Sequence, residues 1–321
     1  MYYRPILIVA GEPKSIFLEI FFKSLKLKKF KTPLILICSK KLLISQMRKL
    51  RFKMNIFDLD LNKLNIYKLN NKSINIIDVN LNSNNLNIIK PNISKAYIQD
   101  SFDMAFQLIK NKFTNKLING PISKKTFLNG KFPGVTEMLA KNFNSKKIAM
   151  LIYNKKLSVC PITTHIPLKL VSKKISKNLI IEKTILINNF YKKIFKYKPK
   201  IAILGLNPHC ESFKKLKEDE VIIRPAINKL KKLRYAVSGP FSADTMFIKQ
   251  NRLNYDVIVG MYHDQVLTPI KTLYEYDAIN ITIGLPFIRI SPDHGPNTSM
   301  FGKNISNPSS LIAAINFLDK N

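Results

Sequence analysis

The feature that most constrains this chain is the regular exchange of short apolar runs with longer amphipathic stretches. Ile6-Leu7-Ile8-Val9-Ala10 is an uninterrupted apolar run, stopped by Gly11 and Pro13. Such runs are how strands of a parallel sheet read, because helices cover both of their faces. Residues 16–29 then read as a helix, 33–39 as a strand and 40–52 as a helix. The alternation predicts an α/β protein with a mostly parallel sheet.

The pattern continues with a helix over 94–112 and a strand over 115–120. Residues 57–91 are rich in Asn, Lys and Ile and are expected to hold short, irregular strands and loops without chemistry. Two strands, 147–153 and 156–162, are expected to pair as a hairpin over Asn154. Ile175, Leu179, Leu186, Phe190 and Ile194 share one helical stripe within 172–196. Strands are predicted at 200–206, 235–238, 257–260 and 278–283, with helices at 219–233 and 243–250. A last helix starts near Asn307-Pro308, where proline suits a first turn.

At ~150 residues per domain, 321 residues make one large domain or two lobes. A hydrophobic content of 46% argues against global disorder. No apolar run approaches the ~18 residues that cross a bilayer, and the run after Arg4 is too short for a signal peptide's apolar core of about 7 or more. Cys38, Cys160 and Cys210 are odd in number, with no CxxC, which points away from a disulfide framework and toward a cytoplasmic location.

The formal charge is +33. Lysine-rich chains can bind nucleic acid through counterion release, but here the excess of Lys, Asn, Ile, Phe and Tyr matches A/T-rich codons, and lysine then accumulates on any solvated face. The basic residues recur along most of the chain. Between Asn254 and Gly302 there are only two, Lys271 and Arg289, where the chain average predicts about eight. A nucleic-acid module would concentrate charge at its site, so no specific nucleic-acid partner is expected.

Four histidines occur, each just after an apolar run and in a Pro- or Gly-containing turn: His165, His209, His263 and His294. Residues past the carboxyl ends of parallel strands face the binding crevice of such folds. Three converging imidazoles suit Zn²⁺ or a similar divalent ion with an open position for substrate. The alternative for any single histidine is a core or surface group. Asp244 and Asp264 are candidates to orient imidazoles, or else turn carboxylates. Lys271, Asn280 and Arg289 suit a small anionic substrate, since a guanidinium fork and an ammonium both match phosphate oxygens. No G-x-G-x-x-G, P-loop or G-x-S-x-G motif is present.

In order along the chain, these segments resemble the 4-hydroxythreonine-4-phosphate dehydrogenase family of vitamin B6 biosynthesis. The resemblance is carried by Gly120-Pro121-Ile122-Ser123-Lys124, Phe132-Pro133-Gly134-Val135-Thr136-Glu137, Thr163-Thr164-His165-Ile166-Pro167, Leu204-Gly205-Leu206-Asn207-Pro208-His209 and Gly239-Pro240-Phe241-Ser242-Ala243-Asp244-Thr245. Its most specific part runs from Met261-Tyr262-His263-Asp264-Gln265 through Asn280 and Arg289 to Asp293-His294-Gly295.

The resemblance implies two α/β/α lobes with an interlobe cleft, as in isocitrate and isopropylmalate dehydrogenases, here divided as 1–130 with 300–321 and 131–299. It implies a homodimer with the active site at the subunit interface, NAD (or NADP), and one divalent metal (Zn, Co or Mg) on His165, His209 and His263. Thr136, Lys271, Asn280 and Arg289 match residues that hold a small phosphorylated amino-acid substrate, and His294 matches no ligand. The implied reaction oxidises C3 of 4-phosphooxy-L-threonine to a β-keto acid, which decarboxylates to 3-amino-2-oxopropyl phosphate. Val135 departs from the family's Gly-His-Thr-Glu pattern, replacing an imidazole by an apolar group. Two other readings follow from these features: a paralogue acting on 4-phospho-threonate or -erythronate, and a non-catalytic basic nucleic-acid-binding protein.

Overall fold

The computed structural model describes residues 4–320 apart from 87, 124–126, 128–131, 133, 212–216, 276 and 293. Lys124, Pro133 and Asp293, quoted above as motif residues, therefore lie outside the described residues. The chain divides into two compact units, residues 1–135 with 286–321 and residues 136–285. Among the described residues no helix is long and apolar enough to cross a membrane.

The first unit is built on parallel strands in the order β3 (Ile56–Asp58), β4 (Ile74–Asp78), β2 (Leu34–Cys38), β1 (Ile6–Val9), β5 (Lys116–Asn119) and β12 (Ile288–Pro292). All residues of β1 are fully buried, which is why that run carries no polar side chain. Helix α1 (Phe17–Leu27) lies alongside α2 (Lys40–Lys49) and α11 (Ser309–Lys320) and buries Phe17, Ile20, Phe21 and Phe22. Helix α3 (Pro91–Lys110) packs on β1 and β2 through Tyr97, Ile98 and Phe102. Each such side chain contributes about 1.5–3 kcal/mol by leaving water.

The second unit has the strand order β11 (Ile279–Ile283), β6 (Ala149–Tyr153), β7 (Ser158–Pro161), β10 (Val257–Gly260), β8 (Ile201–Leu204) and β9 (Val237–Phe241). Strands β11, β6 and β7 pair antiparallel, and β7, β10, β8 and β9 pair parallel. The predicted hairpin is present, closed by Asn154 N donating to Leu157 O at 3.3 Å. Helices α4 (Val135–Asn142), α5 (Val171–Lys174), α6 (Lys177–Ile194), α7 (Arg224–Lys232), α8 (Ala243–Met246), α9 (Lys249–Arg252) and α10 (His263–Tyr274) complete the set. Val159, Ala202, Leu204, Ile258, Val266 and Ile270 form the centre of its core.

The differences from expectation have local causes. The stretch 172–196 breaks before Ser176, whose hydroxyl accepts from Leu179 N at 3.2 Å and so starts α6 afresh. The expected helix over 243–250 is two short ones, α8 and α9. The helix expected from 219 opens with a π turn, Asp219–Ile223, before α7. Helix α10 and strand β12 were not anticipated. Pro269 interrupts the helical pattern of α10, and β12 carries Arg289 and Ser291 within its apolar run.

The Asn-rich stretch also holds more order than expected. Asn75 is buried in β4 and donates to Leu34 O and Asn70 O at 2.8 Å each. Asn71 accepts from Leu34 N and donates to Phe30 O and Thr32 O. These amides satisfy backbone groups at the start of β2, so asparagine can occupy an interior position. The bounds of the units differ as well. Residues 286–299 were expected in the second lobe, but β12 pairs parallel with β5 and thereby joins the first unit.

Candidate active site

Strands β7, β10 and β8 are neighbours in the second unit, and their carboxyl ends are level: Pro161 is in register with Gly260, and Ile203 with Val259. His165, His263 and His209 each follow one of these ends within a few residues. Parallel pairing of strands that are distant in sequence is what brings the three turns to one edge of the sheet. His294 follows β12 in the first unit. Its ring stacks on Phe17 with centroids 6.5 Å apart, and its Nδ1 lies 3.0 Å from Gly295 O, a packing role.

His263 is the first residue of α10, and its Nδ1 is 2.6 Å from Asp264 Oδ1. The rings of His165 and His263 stand with centroids 5.8 Å apart, tilted by 41°. The His165 turn is tied to the strand end before His263, because Thr163 donates to Met261 O through both N (3.1 Å) and Oγ1 (2.7 Å). His209 sits inside a tight turn, Pro208–Cys210, with φ of 56°, and is exposed.

The turn before His209 is held by a carboxylate that the sequence reading did not single out. Asp219 is fully buried. Its Oδ1 accepts from Leu206 N (2.9 Å), and its Oδ2 from Asn207 N (3.1 Å) and Asn207 Nδ2 (2.8 Å). Gln265 was overlooked in the same way. Its Oε1 accepts from Met261 N at 2.7 Å and its Nε2 donates to Gly205 O at 2.8 Å. In sequence Asp219 looked like an ordinary acidic residue in a helix's first turn. Gln265 was visible only as the last letter of the Met261–Gln265 motif.

Neutral imidazoles paired with a carboxylate fit a borderline divalent cation such as Zn²⁺. His165 and His263 bring two imidazoles together, one of them with the Asp264 carboxylate against its Nδ1. Among the described residues of one chain, no group of three or more His, Cys, Asp or Glu side chains is close enough to hold an ion. Asp244 is exposed, and its Oδ1 accepts from Thr245 N at 2.9 Å, the geometry of a turn-forming carboxylate.

The residues matched to substrate lie in two places. Thr136, on α4, has its Oγ1 3.4 Å from Thr282 Oγ1 on β11. Residues two apart on a strand share a face, so Asn280 stands beside that pair. Its Oδ1 is buried and has no hydrogen-bond partner among the described residues, as expected of an acceptor that meets a ligand donor. Lys271 is exposed on the last turn of α10. Arg289 belongs to the first unit, on β12, where it is 3% exposed and its Nε donates to Asn119 Oδ1 at 2.7 Å. Beneath the His165 turn, Cys160 on β7 is fully buried, and burial pushes its thiol up to about 11.

Residues 29–318 match the family model described as pyridoxal phosphate biosynthetic protein PdxA. The chain is 46% identical over 211 residues to a 4-hydroxythreonine-4-phosphate dehydrogenase from Sulfurihydrogenibium sp., covering 64% of this chain and 65% of that protein. It is 39% identical over 224 residues to a protein of the same name from Xanthobacter autotrophicus, covering 67% of this chain and 64% of that protein. The chain thus spans somewhat under two thirds of the length of these relatives. A solved structure of 4-hydroxythreonine-4-phosphate dehydrogenase from Klebsiella pneumoniae superposes with a TM-score of 0.84 at 27% identity, covering 98% of this chain and 97% of that one.

Proposed function

The chain belongs to the pyridoxal phosphate biosynthetic protein PdxA family, and from that premise we propose that it is an NAD(P)-dependent 4-hydroxythreonine-4-phosphate dehydrogenase acting as a homodimer. The substrate in this reading is 4-phosphooxy-L-threonine. Oxidation removes a hydride from C3 and a proton from its hydroxyl, and the resulting β-keto acid loses CO₂ to give 3-amino-2-oxopropyl phosphate. The observation that supports the reading most is the facing of His165 and His263 from adjacent strand ends, in a chain that matches the family model over residues 29–318.

His165, His209 and His263 would hold the divalent ion, with the set completed across the dimer. When bound, the ion supplies Lewis-acid polarisation of the substrate oxygen, and NAD(P) accepts the hydride. The chain's own contribution is orientation. Asp264 Oδ1, 2.6 Å from His263 Nδ1, would orient that ring and leave its other nitrogen for the ion. Asn280 Oδ1 accepts from a substrate donor, and Thr136 offers a hydroxyl on the same face of β11. Lys271 offers a cation to the phosphate, which lies away from the reacting carbon and so contributes position.

The test is NADH or NADPH production from 4-phosphohydroxythreonine by the purified protein, with and without added Zn²⁺, Co²⁺ or Mg²⁺. Reduction of the nucleotide that depends on both substrate and metal is the expected result; no reduction with any of the three metals would end the proposal. Val135, half-buried at the start of α4, favours one second reading, a dehydrogenase for 4-phospho-threonate or -erythronate. A higher kcat/KM on either of those acids than on the amino acid would establish it instead.

A further inference from the structure

We propose that Gln265 is the positioning residue that locks the His209 turn to the His263 turn, so that each imidazole is held in its place for an ion site completed across the dimer. This rests on the reading that these histidines hold a divalent cation. The geometry points to Gln265 because a single amide makes both connections. Its Oε1 takes the N–H of Met261, two residues before His263, and its Nε2 gives a hydrogen to Gly205 O, four residues before His209. A primary amide accepts at one end and donates at the other, as this bridge requires. A carboxylate would set an oxygen against the Gly205 carbonyl, and a thioether would leave both backbone groups unmet.

Two of the chain's ten glycines stand where this bridge passes. A Cβ on Gly260 would come within 2.9 Å of Gln265 Oε1 and 2.5 Å of Val266 Cγ1. A Cβ on Gly205 would come within 2.6 Å of Asp219 Oδ1 and 2.7 Å of Cys210 Sγ. Close approach of side chains to the ends of β10 and β8 therefore requires hydrogen at both positions. Asp219 fixes the next stretch, Leu206 and Asn207, from the other side. Thr163 joins the His165 turn to Met261. The three turns are one hydrogen-bonded assembly, and Gln265 is the link between its two halves. Ligands on separate loops stay in place only when a supporting shell holds the loops, so losing this link is expected to weaken metal binding.

The experiment titrates Co²⁺ alone into the metal-free dimer of the parent, Gln265→Met, Gln265→Glu and His263→Ala, following the visible d–d bands. Thermal unfolding of each metal-free protein is recorded in parallel. We expect both Gln265 variants to bind Co²⁺ at least tenfold more weakly, with band positions or intensities changed, while unfolding close to the parent temperature. Parental affinity and spectrum in Gln265→Met would overturn the proposal, as would a lowered unfolding temperature with unchanged affinity. Should Gln265→Met fail to fold, Gln265→Glu decides on the same criteria. His263→Ala separates the two levels: if it binds Co²⁺ like the parent, the cation reading itself fails, whatever the Gln265 variants do.

Discussion

The guanidinium of Arg289 is anchored by a neutral amide: its Nε donates to Asn119 Oδ1 at 2.7 Å, and both residues are buried. Asn119 in turn donates from Nδ2 to Gly120 O at 2.9 Å, which fixes the amide's orientation. Replacing Asn119 by Ala leaves a buried charged donor short of an acceptor and is expected to cost about 1–3 kcal/mol of stability in urea unfolding. Arg289→Lys keeps the charge but loses the fork, and is expected to raise KM for a phosphorylated substrate by roughly ten- to a hundredfold, the equivalent of one charge-assisted hydrogen bond of about 1.5–3 kcal/mol.

His209→Ala is expected to abolish turnover without unfolding the protein. His209 is exposed, so little packing is lost, but its φ of 56° makes alanine mildly strained. His209→Asn separates these effects, because asparagine tolerates that backbone. Circular dichroism and nucleotide reduction measured on both variants check the prediction, and wild-type-like turnover in either would count heavily against the metal role.

Asp219→Asn tests the support beneath that turn. Both carboxylate oxygens of Asp219 accept from N–H groups in a fully buried setting. An asparagine supplies one oxygen and one NH₂, so a donor is forced to face a donor. The expected loss is about 1–3 kcal/mol in denaturant unfolding, with a fall in turnover because His209 is displaced.

The pH dependence of stability has an identifiable contributor in Asp319. Burial raises its carboxyl, but hydrogen bonds from Thr32 and Lys31 and the charge of Lys116 outweigh burial and hold it below its ordinary value. A carboxyl depressed in the folded state favours folding above its unfolded value, near ~3.9. That contribution disappears as pH falls through the lower folded value. Asp319→Asn should therefore unfold at a lower temperature than the parent at neutral pH, and the gap should close in strong acid. Paired thermal melts across that range measure it.

Much of the fold was legible because strands buried on both faces leave a continuous apolar run, as in β1, β2 and β8. The antiparallel pair β6 and β7 showed itself through the turn at Asn154. Where reading failed, a second requirement had overridden the pattern. Pro269 masked α10, and Arg289 broke the apolar run of β12. Asparagines in β4 looked like loop residues until their amides proved to serve the backbone of β2. The histidines stood out because four of them in 321 residues all fell after apolar runs. Gln265 and Asp219 did not stand out, since the partners of each are main-chain groups more than ten residues away in at least one direction. Which backbone atoms meet a side chain is a property of strand order, and no local spacing encodes it.

The second unit is one contiguous stretch, whereas the first is assembled from 1–135 and 286–321. During synthesis the contiguous unit has all of its strands once residue 285 has emerged. The first unit must wait with β5 open along one edge until β12 arrives and α11 can cover both. An exposed parallel edge is a template for unwanted pairing. A nascent chain stopped short of Ile288 therefore carries β5 with the edge that β12 would cover still open to unwanted pairing.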